Sequence, residues 1–146
     1  MDAMSHGKGG ADFRACREFV GWTQYEVSQN LDLNINTVKR WERPLGQYEP
    51  PTFAWEWMDA ELAAHDAEVD RILDAVDGIE DQSGKTLDPV KLVLFHNNDG
   101  MGFMRPDHRS ASWHNAVARD AWQCLTDSGH NVQFVWSMAK DNEAIW

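Results

Sequence analysis

Residues 23–42 constrain the fold more than any other stretch, because they encode two short amphipathic helices separated by a tight turn. Thr23 and Glu26 have the spacing of a capping box, in which the hydroxyl and the carboxylate satisfy backbone N–H groups at the start of a helix. Asp32 follows that helix, and aspartate tolerates the left-handed backbone of a turn better than most residues. Asn34 can then cap a second helix. The stretch therefore predicts a helix-turn-helix.

The second of these helices has one apolar face and one polar, basic face. Ile35, Val38 and Trp41 recur at helical spacing and are expected to face inward. Amide, hydroxyl and cationic side chains can reach base edges and phosphates, and the outward set is Asn36, Thr37, Lys39, Arg40 and Arg43. We expect these residues to bind DNA. An ordinary helical hairpin with no role at DNA is the alternative interpretation.

The stretch from Trp22 to Glu42 resembles the helix-turn-helix of the phage-repressor (Cro/C1-type) DNA-binding family, and it aligns without a gap. The residues that carry the resemblance are Thr23, Gln24, Leu31, Leu33, Thr37, Val38, Arg40, Trp41 and Glu42. In that family the glutamine at the helix start hydrogen-bonds a backbone phosphate, so the resemblance implies this role for Gln24. The sequence departs from the family at Ser28, where alanine is usual, and at Asp32, where glycine is usual.

The net charge of −11 argues against nucleic acid until its distribution along the chain is considered. Residues 1–48 carry six basic and six acidic side chains, whereas residues 49–84 carry one basic and eleven acidic ones. Residues 85–146 carry six basic and seven acidic side chains. The excess of acid is therefore confined to the middle segment. Contact with phosphates requires a local positive face, which the second predicted helix supplies.

The composition indicates a cytoplasmic globular protein without a cofactor. The 146 residues suffice for one domain or two small ones, and no apolar run has the length of a membrane span. The first residues do not have the pattern of a secretory leader. Cys16 and Cys124 lie far apart without a CxxC pattern, so neither a disulfide framework nor a zinc site is expected. Both cysteines lie on apolar stripes and are expected to be buried free thiols.

On either side of the helix-turn-helix the sequence predicts a helix and a loop. Residues 1–10 are polar and non-periodic, which predicts a loose N-terminal arm. A helix that has Asp12 as its cap and runs to Val20 should follow, with Phe13, Cys16 and Val20 inward. Arg14 and Arg17 should face outward, where they could contact the DNA backbone or remain solvated. The prolines and glycine of residues 44–51 predict a wing-like loop or a linker that carries Tyr48.

Residues 52–79 predict a long helix with an acidic outer face. Its apolar residues recur at roughly helical spacing: Trp55, Met58, Leu62, Val69, Ile72, Leu73 and Val76. Phe53 and Trp57 add an apolar group near its start that is suited to packing on the helix-turn-helix. The acidic face is either simply solvated, as in most amphipathic helices, or a surface that mimics DNA or docks a basic partner.

The last third of the chain predicts a β-α-β unit. Residues 90–96 form an apolar run typical of a buried strand, a helix begins with Ser112 as its cap and ends at Gly129, and residues 131–136 form a second strand. This order implies two parallel strands with a right-handed crossover. Two strands alone make a poor sheet, and a second copy of the chain could pair with their edges. The dimerisation residues would be Trp113, Trp122, Phe134 and Trp136.

The predicted class is therefore α+β and mostly helical, with three segments: a DNA-binding domain over 1–48, a linking helix over 49–84 and a dimerisation domain over 85–146. This order of elements is similar to the YdiL-like proteins and the anti-CRISPR-associated repressors. The resemblance implies a homodimer that is made by the C-terminal part and binds an inverted repeat of double-stranded DNA. The expected function is a transcriptional repressor.

Other chemistries have weaker support in the sequence, and we do not expect an enzyme. A hydrolytic or metal site could draw on His96, His108, His114 and His130 with Asp99, Asp107 and Asp127, but their spacing fits no common metal motif, and surface histidines are the expected alternative. The serines and glycines lack the context of a nucleophile elbow or a phosphate loop: Ser110, Ser112, Gly100 and Gly102. The second hypothesis is an antitoxin or inhibitor whose acidic helix docks a basic protein and whose DNA binding serves autoregulation.

Overall fold

The computed structural model describes residues 8–98, 109–137 and 144–146 of the chain. In these ranges the fold is α+β, with five helices and a small parallel sheet of two strands, which confirms the predicted class. The elements in chain order are α1 (Gly10–Val20), α2 (Gln24–Leu31), α3 (Ile35–Trp41), α4 (Thr52–Ser83), β1 (Val90–Leu94), α5 (Ala111–Asp127) and β2 (Val132–Trp136). None of these helices combines the length and the apolar character that a membrane crossing requires.

The chain divides into an N-terminal unit (Met1–Ala64) and a C-terminal unit (His65–Trp146), and the division falls inside α4. The first half of α4 bonds within the N-terminal unit, where Glu61 accepts a hydrogen bond from the indole of Trp22 at 2.8 Å. The second half bonds within the C-terminal unit, where His65 contacts Asp120 at 2.9 Å. The helix α4 therefore contributes residues to both units.

Aromatic side chains fill the core of the N-terminal unit. Phe13 lies at its centre, with its ring edge-to-face to Trp41 at 5.7 Å and to Trp55 at 5.3 Å between centroids. The helix α1 begins three residues earlier than predicted, with Gly9 instead of Asp12 as its N-cap, and the N–H of Gly9 bonds to the carboxylate of Asp12 at 3.0 Å. A Cβ on Gly10 would lie 1.9 Å from the carbonyl oxygen of Trp41. Only glycine fits this close approach of α1 to the end of α3.

The sheet of the C-terminal unit is parallel, as predicted, and β1 is hydrogen-bonded along both of its edges. On one edge Val90 pairs with Val132 and Leu94 with Trp136. On the other edge, the N–H of Val93 donates to the carbonyl of Trp146 at 3.0 Å. Residues 145 and 146 of the same chain therefore occupy one of the two sheet edges that were predicted to be open to a second copy.

Several predicted boundaries in this unit differ from the structure by one to four residues: α4 ends at Ser83 instead of residue 79, and β2 begins at Val132 instead of residue 131. The strand β1 ends at Leu94 instead of residue 96, and α5 takes its cap from Ser110 instead of Ser112. The Ser110 hydroxyl accepts a hydrogen bond from the N–H of Trp113, which fixes the start of α5 two residues earlier.

Candidate nucleic-acid interface

Local hydrogen bonds fix α2 and the turn after it, as the sequence predicts. The hydroxyl of Thr23 accepts from the N–H of Glu26 at 3.1 Å, and the Glu26 carboxylate accepts from the N–H of Thr23 at 2.9 Å. Asp32 adopts the left-handed conformation at the end of α2, with φ of 55°. The N–H of Leu33 then donates to the carbonyl of Ser28 at 2.8 Å, which closes the turn. The capping box and the aspartate turn are both confirmed.

The helix α3 exposes most of its predicted DNA-binding residues. The side chain of Asn34 caps it by accepting from the N–H of Asn36 at 2.8 Å. Val38 and Trp41 are buried, and Ile35 is partly buried, so the apolar face is confirmed. The opposite residues are exposed except for Thr37, which is partly buried; the set is Asn36, Thr37, Lys39 and Arg40. An amide and two cations therefore face solvent along one short helix.

Arg43 lies beyond the helix, because α3 ends at Trp41 and Glu42 is its C-cap. It is exposed in the loop that follows. The guanidinium of Arg40 stands 6.0 Å from the ring centroid of Tyr48 in the same loop, which is within the range of a cation–π contact. The loop and the exposed face of α3 are therefore in contact at Arg40.

A buried polar network lies behind this exposed face. The Nε–H and Nη2–H of Arg17 donate to the two carboxylate oxygens of Glu42, at 2.7 and 2.8 Å. The Nη1–H of Arg17 donates to the carbonyl of Trp22 at 3.0 Å. The expectation that Arg17 faces outward is therefore wrong: it ties α1 to the end of α3. The sequence carries a signal for this burial, because Arg17 lies on the stripe formed by Phe13 and Val20.

Gln24 belongs to the same network. Its Nε2–H donates to Oε1 of Glu42 at 3.1 Å, so the first residue of α2 is held against the residue that caps α3. Gln24 is only partly buried, and an amide nitrogen carries two hydrogens. One N–H and the amide oxygen are therefore not used by this bond.

Ser28, where the resembled family has alanine, is buried without loss of its hydrogen bonding. Its hydroxyl donates to the carbonyl of Tyr25 at 2.6 Å. A buried hydroxyl is tolerated when it has such a partner, so the departure does not disturb α2.

The four predicted dimerisation residues fall into two groups. Trp113 is completely buried inside its own unit, so it is a core residue and is not available to a second copy. Trp122 is 38% exposed, Trp136 is 55% exposed, and Phe134 is partly buried. The rings of Trp122 and Phe134 are 6.4 Å apart between centroids. Phe134 and Trp136 are two residues apart on β2 and so lie on the same face of the strand. We refer to Trp122, Phe134 and Trp136 together as the tryptophan patch.

The histidines are not the uniform surface residues that the sequence suggested. His114 is buried between Phe95, Trp113 and Trp146, with ring centroids 5.2–6.0 Å away. His65, which the sequence reasoning passed over, is buried as well, and it lies on the apolar stripe of α4.

The other members of the proposed histidine and glycine sites do not assemble in the described part of the chain. His130 bonds to Glu80 at 3.0 Å, and His96 stands edge-on to Trp136. Asp99, Gly100, Gly102, Asp107 and His108 lie outside the described residues. Within the described ranges no group of three His, Cys, Asp or Glu side chains is arranged to hold a metal ion.

Among the titratable groups of the described residues, three have displaced pKa values, and none of the three lies on the exposed face of α3. Burial raises the pKa of the thiols of Cys16 and Cys124, both partly buried and free. The N–H of Leu87, which donates to the Glu80 carboxylate at 2.7 Å, lowers the pKa of that group, and His130 contributes in the same direction. The raised thiol pKa values indicate structural cysteines of low reactivity.

Comparison of the sequence with family models and with curated proteins gave no match. The surface is therefore characterised by its geometry: a short helix held by two caps and a buried ion pair presents amide and cationic side chains to solvent.

Proposed function

We propose that this protein is a sequence-specific DNA-binding transcriptional regulator of the Cro/C1-type helix-turn-helix class, and that it acts as a repressor. The observation that carries the proposal is the exposed polar face of α3 on a helix whose two ends are fixed. A side chain that reads a base must be held at a defined position, and the caps at Asn34 and Glu42 provide this.

In this proposal α3 enters the major groove of double-stranded DNA. The groove is about 12 Å wide and admits one helix. Asn36 and Arg40 carry the side chains suited to adenine and guanine edges, and Lys39 and Arg43 would contact phosphates. The part of the Gln24 amide that Glu42 does not use would bind a phosphate at the start of α2.

A homodimer would supply the specificity that one such unit lacks, because a single helix reads too few base pairs. The tryptophan patch supports this part of the proposal, since Trp136 is a large apolar side chain left half in solvent. Two copies would read an inverted repeat, with half-sites about 34–36 Å apart. Sedimentation of the full chain should show a dimer that Trp136→Ala weakens and that Tyr25→Ala, an exposed aromatic of the other unit, leaves intact. A monomeric parent would refute this part.

Selection of bound duplexes from a random pool by the purified full-length protein tests DNA binding itself. Arg40→Ala should weaken binding of the selected duplex by about 1–3 kcal/mol and relax the preference at one base pair. Gln24→Ala should weaken all duplexes alike, because a phosphate contact carries no base information. Arg119→Ala, an exposed cation on α5, is the charge-matched control and should bind like the parent. If Arg40→Ala and Gln24→Ala also bind like the parent, the proposal is wrong.

A second candidate function rests on the outer face of α4. Its exposed acids recur three or four residues apart and share one face: Asp66, Asp70, Asp74, Asp77 and Asp81. Such a face could dock a basic protein, as in an antitoxin or inhibitor that binds DNA for autoregulation. Purification of the protein from its native cells discriminates the DNA-binding regulator from the antitoxin or inhibitor. The second candidate requires that a small basic protein co-purifies with it and that high salt releases this partner.

A further inference from the structure

The loop after α3 contains a turn in which leucine occupies a position normally taken by glycine. The N–H of Gly46 donates to the carbonyl of Arg43 at 3.0 Å, and Pro44 occupies the second position of the turn. Leu45, at the third position, has φ of 57°. A positive φ there is typical of a type II turn, which favours glycine or asparagine because a Cβ is strained in that region. The backbone at Leu45 is therefore an outlier for a branched side chain.

Packing within the described protein does not offset the strain at Leu45. It is 104% exposed, more than any other large apolar residue described, of which Tyr25 follows at 60%. The turn borders a cavity of about 400 Å³ that Gly10 and Trp41 also line, so it does not rest on a packed core. Strained backbone conformations cluster at functional sites. No part of the described protein covers Leu45, so any burial of its side chain comes from a second molecule.

The position of the turn indicates the class of molecule that would bury Leu45. It begins one residue after the cap of α3, and the exposed cation Arg43 opens it. Arg40, which we propose reads a base, contacts Tyr48 just beyond it. A protein partner with an apolar pocket is thus less suited to the site than a polyanion that offers both phosphates and an apolar surface. DNA offers both in its minor groove, where leucine side chains can enter between base steps.

We infer that the turn Arg43–Gly46 is a second DNA-contacting element, and that Leu45 wedges into the minor groove beside the half-site read by α3. This inference rests on the proposed function. Arg43 would anchor the turn on a phosphate, and the wedge would partly unstack one base step and bend the duplex. Flexible pyrimidine–purine steps should therefore be preferred at that point, outside the bases that α3 contacts.

The substitution Leu45→Gly separates a DNA contact from a structural role, because it removes the side chain and also relieves the strained backbone. In the full-length protein its unfolding midpoint should equal or exceed that of the parent. Its affinity for the duplex selected by the parent should fall about tenfold, the effect of exposing one buried leucine. Leu45→Ala should lose the same affinity while keeping the strain. Ile79→Ala, which trims another exposed aliphatic side chain, should change neither property.

The bend of the bound duplex provides a second test of the wedge. Energy transfer between dyes at the two ends of the selected duplex should report a bend with the parent and a smaller one with Leu45→Gly. If Leu45→Gly binds within about twofold of the parent, or if the parent leaves the duplex straight, the wedge is refuted while DNA binding stands. If the parent selects no duplex at all, the proposed function fails and the wedge fails with it.

Discussion

The buried ion pair between Arg17 and Glu42 gives the sharpest prediction about stability. Two hydrogen bonds of 2.7 and 2.8 Å join the guanidinium and the carboxylate, and the two side chains are only 9% and 2% exposed. Glu42→Ala would leave the guanidinium buried with the carbonyl of Trp22 as its remaining acceptor in this network. An uncompensated buried charge typically costs about 3–5 kcal/mol, so we expect a loss of that size.

A double variant distinguishes the burial of a lone charge from the net contribution of the pair. Arg17→Met with Glu42→Leu removes both charges and both desolvation costs while keeping apolar bulk. Apolar replacement of a buried pair is often neutral, so the double variant should be within about 1–2 kcal/mol of the parent. The exposed pair between Arg14 and Glu18, 59% and 57% exposed, is the matched control on the same helix. Arg14→Ala should cost less than about 0.5 kcal/mol.

Urea denaturation of the full-length variants measures these differences, with the midpoint giving the free energy of unfolding at constant slope. The expected order of stability is parent and Arg14→Ala together, then the double variant, then Glu42→Ala far below. The reasoning is refuted if Glu42→Ala lies within about 1 kcal/mol of the parent, or if the double variant is as unstable as Glu42→Ala.

Two glycine substitutions and one carboxylate give further expectations. Gly10→Ala places a methyl group against the carbonyl of Trp41 and should destabilise the protein by about 1–3 kcal/mol. Gly78 lies inside α4 with open space around it, so Gly78→Ala should stabilise the protein by about 0.5–1 kcal/mol. Thermal unfolding measures both effects. Because the pKa of Glu80 is lowered in the folded state, its carboxylate stabilises at neutral pH. That stabilisation is lost as the pH falls from about 4.3 through the lowered pKa, so the gap in unfolding free energy between parent and Glu80→Gln should shrink over that window.

The parts of the fold that obey local rules could be predicted from the sequence. Thr23 and Glu26 are three residues apart, and both bonds of a capping box form within one turn of helix. The turn at Asp32 and the cap at Asn34 are equally local. The direction of the exposed face of α3 follows from its 3.6-residue period, which is why Arg40 was predicted outward and is exposed.

The parts of the fold that depend on partners distant in the sequence could not be predicted. Arg17 and His65 both lie on apolar stripes, where periodicity predicts burial and side-chain type predicts exposure. The burial of each side chain depends on a carboxylate that accepts or shares its hydrogen bond, 25 residues away for Arg17 and 55 residues away for His65. Trp113 shows the related ambiguity, because an apolar stripe has the same composition whether it faces its own core or another chain.

The ion pair also links the stability of the N-terminal unit to its proposed contact with DNA. The Oε1 atom of Glu42 accepts from both Arg17 and Gln24, so one carboxylate holds the core together and orients the amide at the start of α2. The double variant Arg17→Met/Glu42→Leu keeps the packing but gives Gln24 no acceptor. If Gln24 binds a phosphate, this variant should fold and yet bind all duplexes more weakly by the same factor, with its base preferences unchanged, because orienting a phosphate ligand carries no sequence information. Gln24→Ala added to the double variant should then cause less loss than it does in the parent, as expected for residues that act through one contact. Undiminished loss from Gln24→Ala in both backgrounds would show that Glu42 does not position Gln24 for DNA.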